Sequence, residues 1–203
     1  MSHLWVLSAA SGTGKTSLVK ALLADDRQTQ VAVSHTTREP REGEVHGKDY
    51  YFVDQDGFLK LQRKQAFVEF AQVFDNYYGT SLQEVQHRIQ AGYDVILEID
   101  WQGAQQIRKA MPDAKSIFIF PPSLADLRAR LEGRGTDKKS VIEHRLAKAK
   151  QEISHASEFD YWVVNDDFDK ALAALRSIIK AHRFEQRLME AKHPSLLRTL
   201  CGT

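Results

Sequence analysis

The sequence predicts an α/β fold in which a central parallel β-sheet is flanked by helices. Three observations carry this. Predominantly apolar runs of strand length recur at residues 4–7, 95–99, 116–120 and 161–164. Helical patterns of apolar residues separate the runs. The first run leads directly into a glycine-rich turn that opens a helix. Uninterrupted apolar strands alternating with helices mark a parallel sheet covered on both faces.

The first strand is Leu4-Trp5-Val6-Leu7. It continues into Ser8-Ala9-Ala10-Ser11-Gly12-Thr13-Gly14-Lys15-Thr16, and Leu18, Val19, Leu22 and Leu23 follow at helical spacing. Strand, glycine loop and helix in that order are the context of a phosphate-binding loop. Its backbone N–H groups close around phosphate oxygens, and the helix N-terminus adds partial positive charge. Lys15 would reach the terminal phosphates of a nucleotide, and Thr16 would offer its hydroxyl to Mg²⁺. The full pattern, G-x-x-x-x-G-K-[ST], has Ala9 where its first glycine stands, which is harmless wherever φ is negative. The competing reading is an ordinary strand-to-helix turn. A dinucleotide fingerprint fits less well, because its third glycine would be Ser17.

Val31-Ala32-Val33 is expected to form a second short strand. Pro40 and Gly43 then rule out a regular helix in the polar stretch that follows. Tyr50-Tyr51-Phe52-Val53 is β-prone, and Phe58, Leu59 and Leu61 predict a short helix after Asp54. Residues 67–74 alternate loosely as a strand, and Asp75-Asn76-Tyr77-Tyr78-Gly79 is expected to turn. Residues 35–82 therefore form a small strand-rich insertion. The α/β pattern resumes with a helix at Val85, Ile89 and Ala91 that ends at Gly92. A strand at 95–100 ends in an acid, and a helix from about Gln102 is stopped by Pro112. Residues 124–153 are helical on either side of Gly133-Arg134-Gly135. Leu172, Leu175, Ile178 and Ile179 mark a C-terminal amphipathic helix. From about His193 no pattern is visible, and a frayed end is expected.

The length, 203 residues, suits one domain with insertions. A net charge of +1 argues against a globally basic nucleic-acid binder. Cys201 is the only cysteine, which excludes an internal disulfide and suits a reducing cytoplasm. No apolar run approaches membrane-spanning length, and nothing at the N-terminus reads as a signal peptide.

Several side chains stand out for their chemistry. Asp100 ends an apolar strand with Glu98 two residues before it. An acid there can hold Mg²⁺ beside a nucleotide bound at Lys15. Arg38 and Arg41, with Tyr50, suit a second phosphate group. Glu39, Glu42 and Glu44 lie among them, so local composition alone favours a solvated, self-paired loop. Arg130, Arg134 and Arg145 could close on a transferring phosphoryl group, or could simply decorate a charged helix pair. Glu69 lies inside an apolar strand, as either an exposed-face residue or a ligand group. The histidines lack metal-ligand spacing.

With these pieces in place the chain resembles the guanylate kinases. The resemblance runs from about Leu4 to about His182. It rests on Ser11-Gly12-Thr13-Gly14-Lys15-Thr16, on the run from Val33 to Glu44 with its T-T-R-x-P-R-x-G-E pattern, and on Gly47-Lys48-Asp49-Tyr50. It continues with Phe67-Val68-Glu69-Phe70-Ala71, Asn76-Tyr77-Tyr78-Gly79-Thr80, Ile99-Asp100-Trp101-Gln102-Gly103, Arg130-Leu131-Glu132-Gly133-Arg134-Gly135 and Val164-Asn165-Asp166-Asp167. Two departures are visible: Ala9-Ala10 replaces a Gly-Pro often seen there, and Glu98 replaces a common aspartate.

The resemblance implies a P-loop kinase fold over residues 3–182, with a core at 3–34, 83–125 and 151–192. It implies a GMP-binding insertion at 35–82, a helical lid at 126–150 and a tail at 193–203. By the same resemblance Ser34, Glu69, Thr80 and Asp100 contact guanine, and Arg38, Arg41, Tyr50 and Tyr78 hold the GMP phosphate. Residues Ala9 to Thr16 bind ATP phosphates, with Arg130 and Asn165 beside the nucleotide. Lys15, Arg38, Arg134 and Arg145 serve catalysis, and Thr16 and Asp100 hold Mg²⁺. The implied reaction moves phosphate from ATP to GMP in the cytoplasm, without nucleic acid or membrane; a homo-oligomer is compatible with the sequence. The alternatives are a non-catalytic phosphopeptide-binding module of the same fold, or a related kinase for another phosphorylated small molecule.

Overall fold

The computed structural model describes residues 3–73, 75–133 and 139–202, with the side chain of Lys139 left aside. Nine strands are described: β1 Leu4–Ala9, β2 Thr29–Val31, β3 Ser34–Thr36, β4 Tyr51–Phe52, β5 Phe67–Val73, β6 Asn76–Ser81, β7 Asp94–Glu98, β8 Lys115–Phe120 and β9 Tyr161–Val164. The helices are α1 Lys15–Asp25, α2 Gln55–Arg63, α3 Leu82–Gln90, α4 Trp101–Ala110, α5 Leu124–Glu132, α6 Lys139–Ser154, α7 Phe168–His182, α8 Gln186–Lys192 and α9 Leu196–Cys201.

The main sheet has five parallel strands in the order β2-β7-β1-β8-β9. Alternation along β1 divides the core into two layers. Trp5 and Leu7 face Leu18 and Leu22 of α1 and Leu175 and Ile179 of α7. Leu4 and Val6 belong to the opposite layer, with Val85 of α3 and Ile107 of α4. The largest of these side chains are fully buried, which is why the strand sequences read as unbroken apolar runs. Side-chain oxygens cap helices: Asp54 accepts from Gly57 N–H, Ser81 from Glu84, Asp100 from Gly103, Ser123 from Asp126 and Asp167 from Lys170. Each such cap contributes about 1 kcal/mol.

A second, mixed sheet of four strands has the order β4-β3-β6-β5. β6 runs antiparallel to both β3 and β5, and β3 is parallel to β4. Phe58 of α2 is fully buried and stacks on Phe67 and Tyr77.

Four expectations need correction. The second strand is Thr29–Val31, not residues 31–33. Ala32 still donates its N–H to Ile96, but the chain then crosses to the other sheet at Ser34. Residues 76–79 do not turn; they begin β6, paired on both sides. The main-sheet strand ends at Glu98, so Asp100 lies beyond it as the cap of α4. The C-terminal stretch forms the exposed helix α9.

Candidate active site at the carboxyl ends of the parallel strands

β1 delivers the glycine loop to the carboxyl edge of the main sheet. Ala9 is the last residue of β1, so an alanine there costs nothing. The left-handed backbone of the loop falls at Gly12 and Gly14, with φ of 93° and 99°. Gly14 also caps α1, and a Cβ on it would come within 2.8 Å of Asn165 Nδ2. Asn165 Nδ2 donates to the Thr13 carbonyl at 2.7 Å, and Arg130 donates to the same oxygen at 3.1 Å and to Asn165 O at 2.8 Å. These two side chains therefore hold the loop, and neither lines the cavity beside it.

In front, the parallel register pairs Leu7 with Glu98, which sets the end of β7 beside the start of α1. Thr16 Oγ1 donates to Glu98 Oε2 at 3.2 Å. Lys15 Nζ donates to the Ile99 carbonyl at 3.4 Å. Asp100 accepts from the Gly103 N–H at 3.0 Å and from Gln102 Nε2 at 3.1 Å. Glu98 is thus the acid bonded to Thr16, while Asp100 is held by its own helix. Both line the same cavity of about 970 Å³.

The opposite wall comes from the second sheet. Ser34 and Thr80 are register partners, and a bulge between Phe67 and Glu69 sets Glu69 opposite Thr80. Thr80 Oγ1 donates to Glu69 Oε1 at 2.6 Å, so the 2.9 Å contact between Ser34 and Thr80 has Ser34 as donor. Glu69 is only 3% exposed. Burial pushes its carboxyl up to about 7, against the Thr80 hydroxyl, which lowers it. A Cβ on Gly103 would come 2.6 Å from Glu69 Oε2, so only glycine leaves the carboxylate this space.

Arg38 grips Glu44 through both carboxylate oxygens, at 2.8 and 2.9 Å, and lies 5.5 Å from the centroid of Tyr50. Burial opposes the charge on Arg38, but Glu44 outweighs it and raises the guanidinium further. Burial likewise pushes the Tyr50 hydroxyl up to about 12, so it stays a neutral donor. Tyr78 packs against Tyr50, with ring centroids 6.0 Å apart. The Arg41 N–H donates to Glu44, and its residue is exposed on the cavity rim.

The structure therefore brings the glycine loop, Ser34, Arg38, Arg41, Tyr50, Glu69, Tyr78 and Asp100 around one cavity, with Thr80 buried behind Glu69. Arg145 lies on α6 and is not part of the cavity wall. It shares a helix face with Lys148 and Glu152, which do line the cavity. Arg134 lies outside the described residues. Two groups escaped sequence reasoning. Glu152 is buried and accepts the Ser11 N–H of the glycine loop at 3.1 Å, with burial raising its carboxyl. Gln106 brackets the Phe70 backbone, accepting from its N–H at 3.1 Å and donating to its carbonyl at 2.7 Å. No local signal marks either one, since both act across the fold.

Comparison with known proteins agrees with this geometry. The guanylate kinase family model matches residues 1–182. The guanylate kinase of Escherichia coli strain K12 is 52% identical over 199 residues, covering 97% of this chain and 96% of the relative. That of Salmonella typhimurium strain LT2 is also 52% identical with the same coverage. The crystal structure of guanylate kinase from Anaplasma phagocytophilum superposes with a TM-score of 0.76 at 34% identity, covering 95% of this chain and 96% of that one. A parallel five-stranded sheet, a glycine loop at its carboxyl edge and this full-length similarity lead to one assignment: the chain belongs to the guanylate kinase family.

Proposed function

We propose that the cavity holds GMP against the second sheet and ATP at the glycine loop, and that its side chains align the two phosphates for transfer. The chain transfers the terminal phosphoryl group of ATP to GMP, giving ADP and GDP. The observation that supports the base assignment best is the Ser34–Thr80–Glu69 chain on the wall facing the glycine loop. Guanine carries N1–H and N2–H₂ donors side by side, and an ionised Glu69 accepts them. Adenine has neither, and would leave a buried carboxylate unpaired. Sites built on such bonds reject the wrong substrate by roughly 10⁴–10⁵.

In this reading Arg38, Arg41, Tyr50 and Tyr78 hold the GMP phosphate, with Ser34, Thr80 and Asp100 completing the base site. A GMP phosphate oxygen attacks the terminal phosphorus of ATP, and the bond to the bridging oxygen of ADP breaks. No covalent enzyme intermediate is needed, so the residues act by alignment and charge neutralisation. Residues Ala9 to Thr16 cradle the ATP phosphates, Arg130 and Asn165 keep the loop in place, and Lys15 follows the charge onto the leaving oxygens. Arg134 and Arg145, on a lid at 126–150, complete the neutralisation as the insertion at 35–82 and the lid close over the core. The all-oxygen donor set of Thr16 with Asp100 or Glu98 suits Mg²⁺, which when bound neutralises ATP phosphate charge. Thr16 already donates to Glu98, which makes Glu98 the nearer acid to that position.

A cytoplasmic site of action fits the single cysteine, Cys201. Among the described residues, no helix is long and apolar enough to cross a membrane. The direct test is ATP consumption with Mg²⁺ and each of GMP, AMP, CMP and UMP. Turnover with GMP alone is expected; turnover with another acceptor removes the assigned roles of Glu69 and Ser34.

A further inference from the structure

At the opposite, amino edge of the main sheet three potential ligands converge. His3 precedes β1 and is 3% exposed; His182 ends α7; Glu185 caps α8. One ligand atom from each lies within 4.8 Å of the other two. We propose that His3, His182 and Glu185 bind a divalent transition-metal ion of the zinc class, which staples the start of β1 to the C-terminal helices.

The donor set suits such an ion: two imidazoles and one carboxylate leave a fourth position for water. Around a tetrahedral ion, ligand atoms bonded at about 2.0–2.2 Å sit roughly 3.3 Å apart. His3 Nε2 and Glu185 Oε2 are 4.0 Å apart, so a small side-chain rotation brings them into range. His182 Nδ1 contacts Glu185 directly, and an ion would replace the proton between them.

A further observation concerns the other nitrogen of His182. Its Nε2 meets the Tyr161 hydroxyl at 2.6 Å. With Nδ1 on the ion, Nε2 carries the proton and donates to Tyr161. That outer hydrogen bond is the arrangement that fixes the tautomer of metal-bound histidines. His3 is anchored through its backbone, donating to Asp94 and accepting from Val95, so its ring is presented from a rigid strand end. Its Nε2 now contacts the His182 carbonyl at 3.1 Å, a contact the ion would replace. Arg187 donates to Glu185 Oε2 at 3.1 Å, but Arg187 is nearly half exposed and can swing away into water.

The test uses the full chain, stripped with chelator and kept in excess Mg²⁺. Zinc is added and thermal unfolding measured; cobalt is added in parallel and its visible absorption recorded. Zinc at about 100-fold its Kd should raise Tm by roughly 5–10 °C, and cobalt should give the intense bands of a four-coordinate site. His182→Ala and Glu185→Gln should each abolish both responses while GMP phosphorylation stays unchanged. Each variant is compared with its own stripped form, so a change in basal stability does not obscure the result. The proposal is overturned if the parent chain shows neither response, or if both variants keep them. It is equally overturned if zinc acts only by displacing magnesium, seen as lost phosphoryl transfer with no change in Tm.

Discussion

Glu69 and Arg38 stand on the same cavity, and the fold prepares them differently. Glu69 is buried, its position set by strand register and a bulge, and its carboxylate accepts a hydrogen bond from the Thr80 hydroxyl. Arg38 is already occupied, gripped through both oxygens of Glu44. On the proposed assignment, guanine would add bonds to a carboxylate whose burial is costly, and a phosphate would exchange one anion on Arg38 for another of higher charge. The contrast teaches that base choice would then rest on a rigid backbone, whereas phosphate capture would rest on charge that Glu44 balances within the protein.

The largest expected effect tests the charged side. Among the described residues, Lys15 Nζ donates to the Ile99 carbonyl at a long 3.4 Å, so Lys15→Ala should leave thermal unfolding within a few degrees of the parent. Its loss removes a preorganised cation from the ATP phosphates, and kcat should fall about 10²–10³-fold. A variant with unchanged kcat would remove Lys15 from the mechanism.

The next tests the base side through pH. Burial pushes the Glu69 carboxyl up to about 7, so it is protonated below that pH, and on the proposed assignment that proton occupies an acceptor that guanine needs. kcat/KM for GMP should therefore rise with pH up to about 7 and level off above it. Stability of the empty protein should run the other way. A carboxyl raised by burial stabilises the fold fully below its unfolded value, and that contribution is lost as pH climbs through about 7. Glu69→Gln should flatten both profiles and lower kcat/KM for GMP about 100-fold, the size of a lost charged hydrogen-bond pair. A rising limb that survives in Glu69→Gln would assign the titration to another group.

How much of this was legible in the sequence follows from which interactions are local. β1, β7 and β8 were visible because strands buried on both faces are apolar along most of their length. β9 was visible although it is an edge strand, because its exposed Trp162 and Val164 are apolar too. Asn76-Tyr77-Tyr78-Gly79 reads as a turn, yet pairing with both β3 and β5 overrides that local preference. α9 is short and lies on the surface, with Leu196, Leu197 and Leu200 exposed, so its few apolar residues gave too little pattern to announce it. In the site, the glycine loop is a local motif and could be read directly. Glu98 was visible, but its bond to Thr16 depends on the pairing of β7 with β1. Glu152 lies in a polar helical stretch, and only the packing of α6 brings it to Ser11. Long-range bonds of this kind leave no mark on neighbouring residues.

The smallest effect sharpens the claim that base choice rests on backbone position. β5 is an edge strand of the second sheet, and Gln106 of α4 bonds both backbone groups of Phe70 as a neighbouring strand would. This fastens the residue next to Glu69 to the core. Gln106→Ala frees those groups to water at a partly exposed edge, which costs about 1 kcal/mol and lowers Tm by about 2–4 °C. Loosening β5 should also raise KM for GMP about threefold with kcat unchanged, because Glu69 loses part of its fixed position and Lys15 loses nothing. Gln106→Glu accepts from the Phe70 N–H but cannot donate to its carbonyl, and should fall between. If Tm drops while KM for GMP stays put in both variants, Gln106 supports the fold alone. The rigidity behind Glu69 must then come from its pairing with Thr80 across β6.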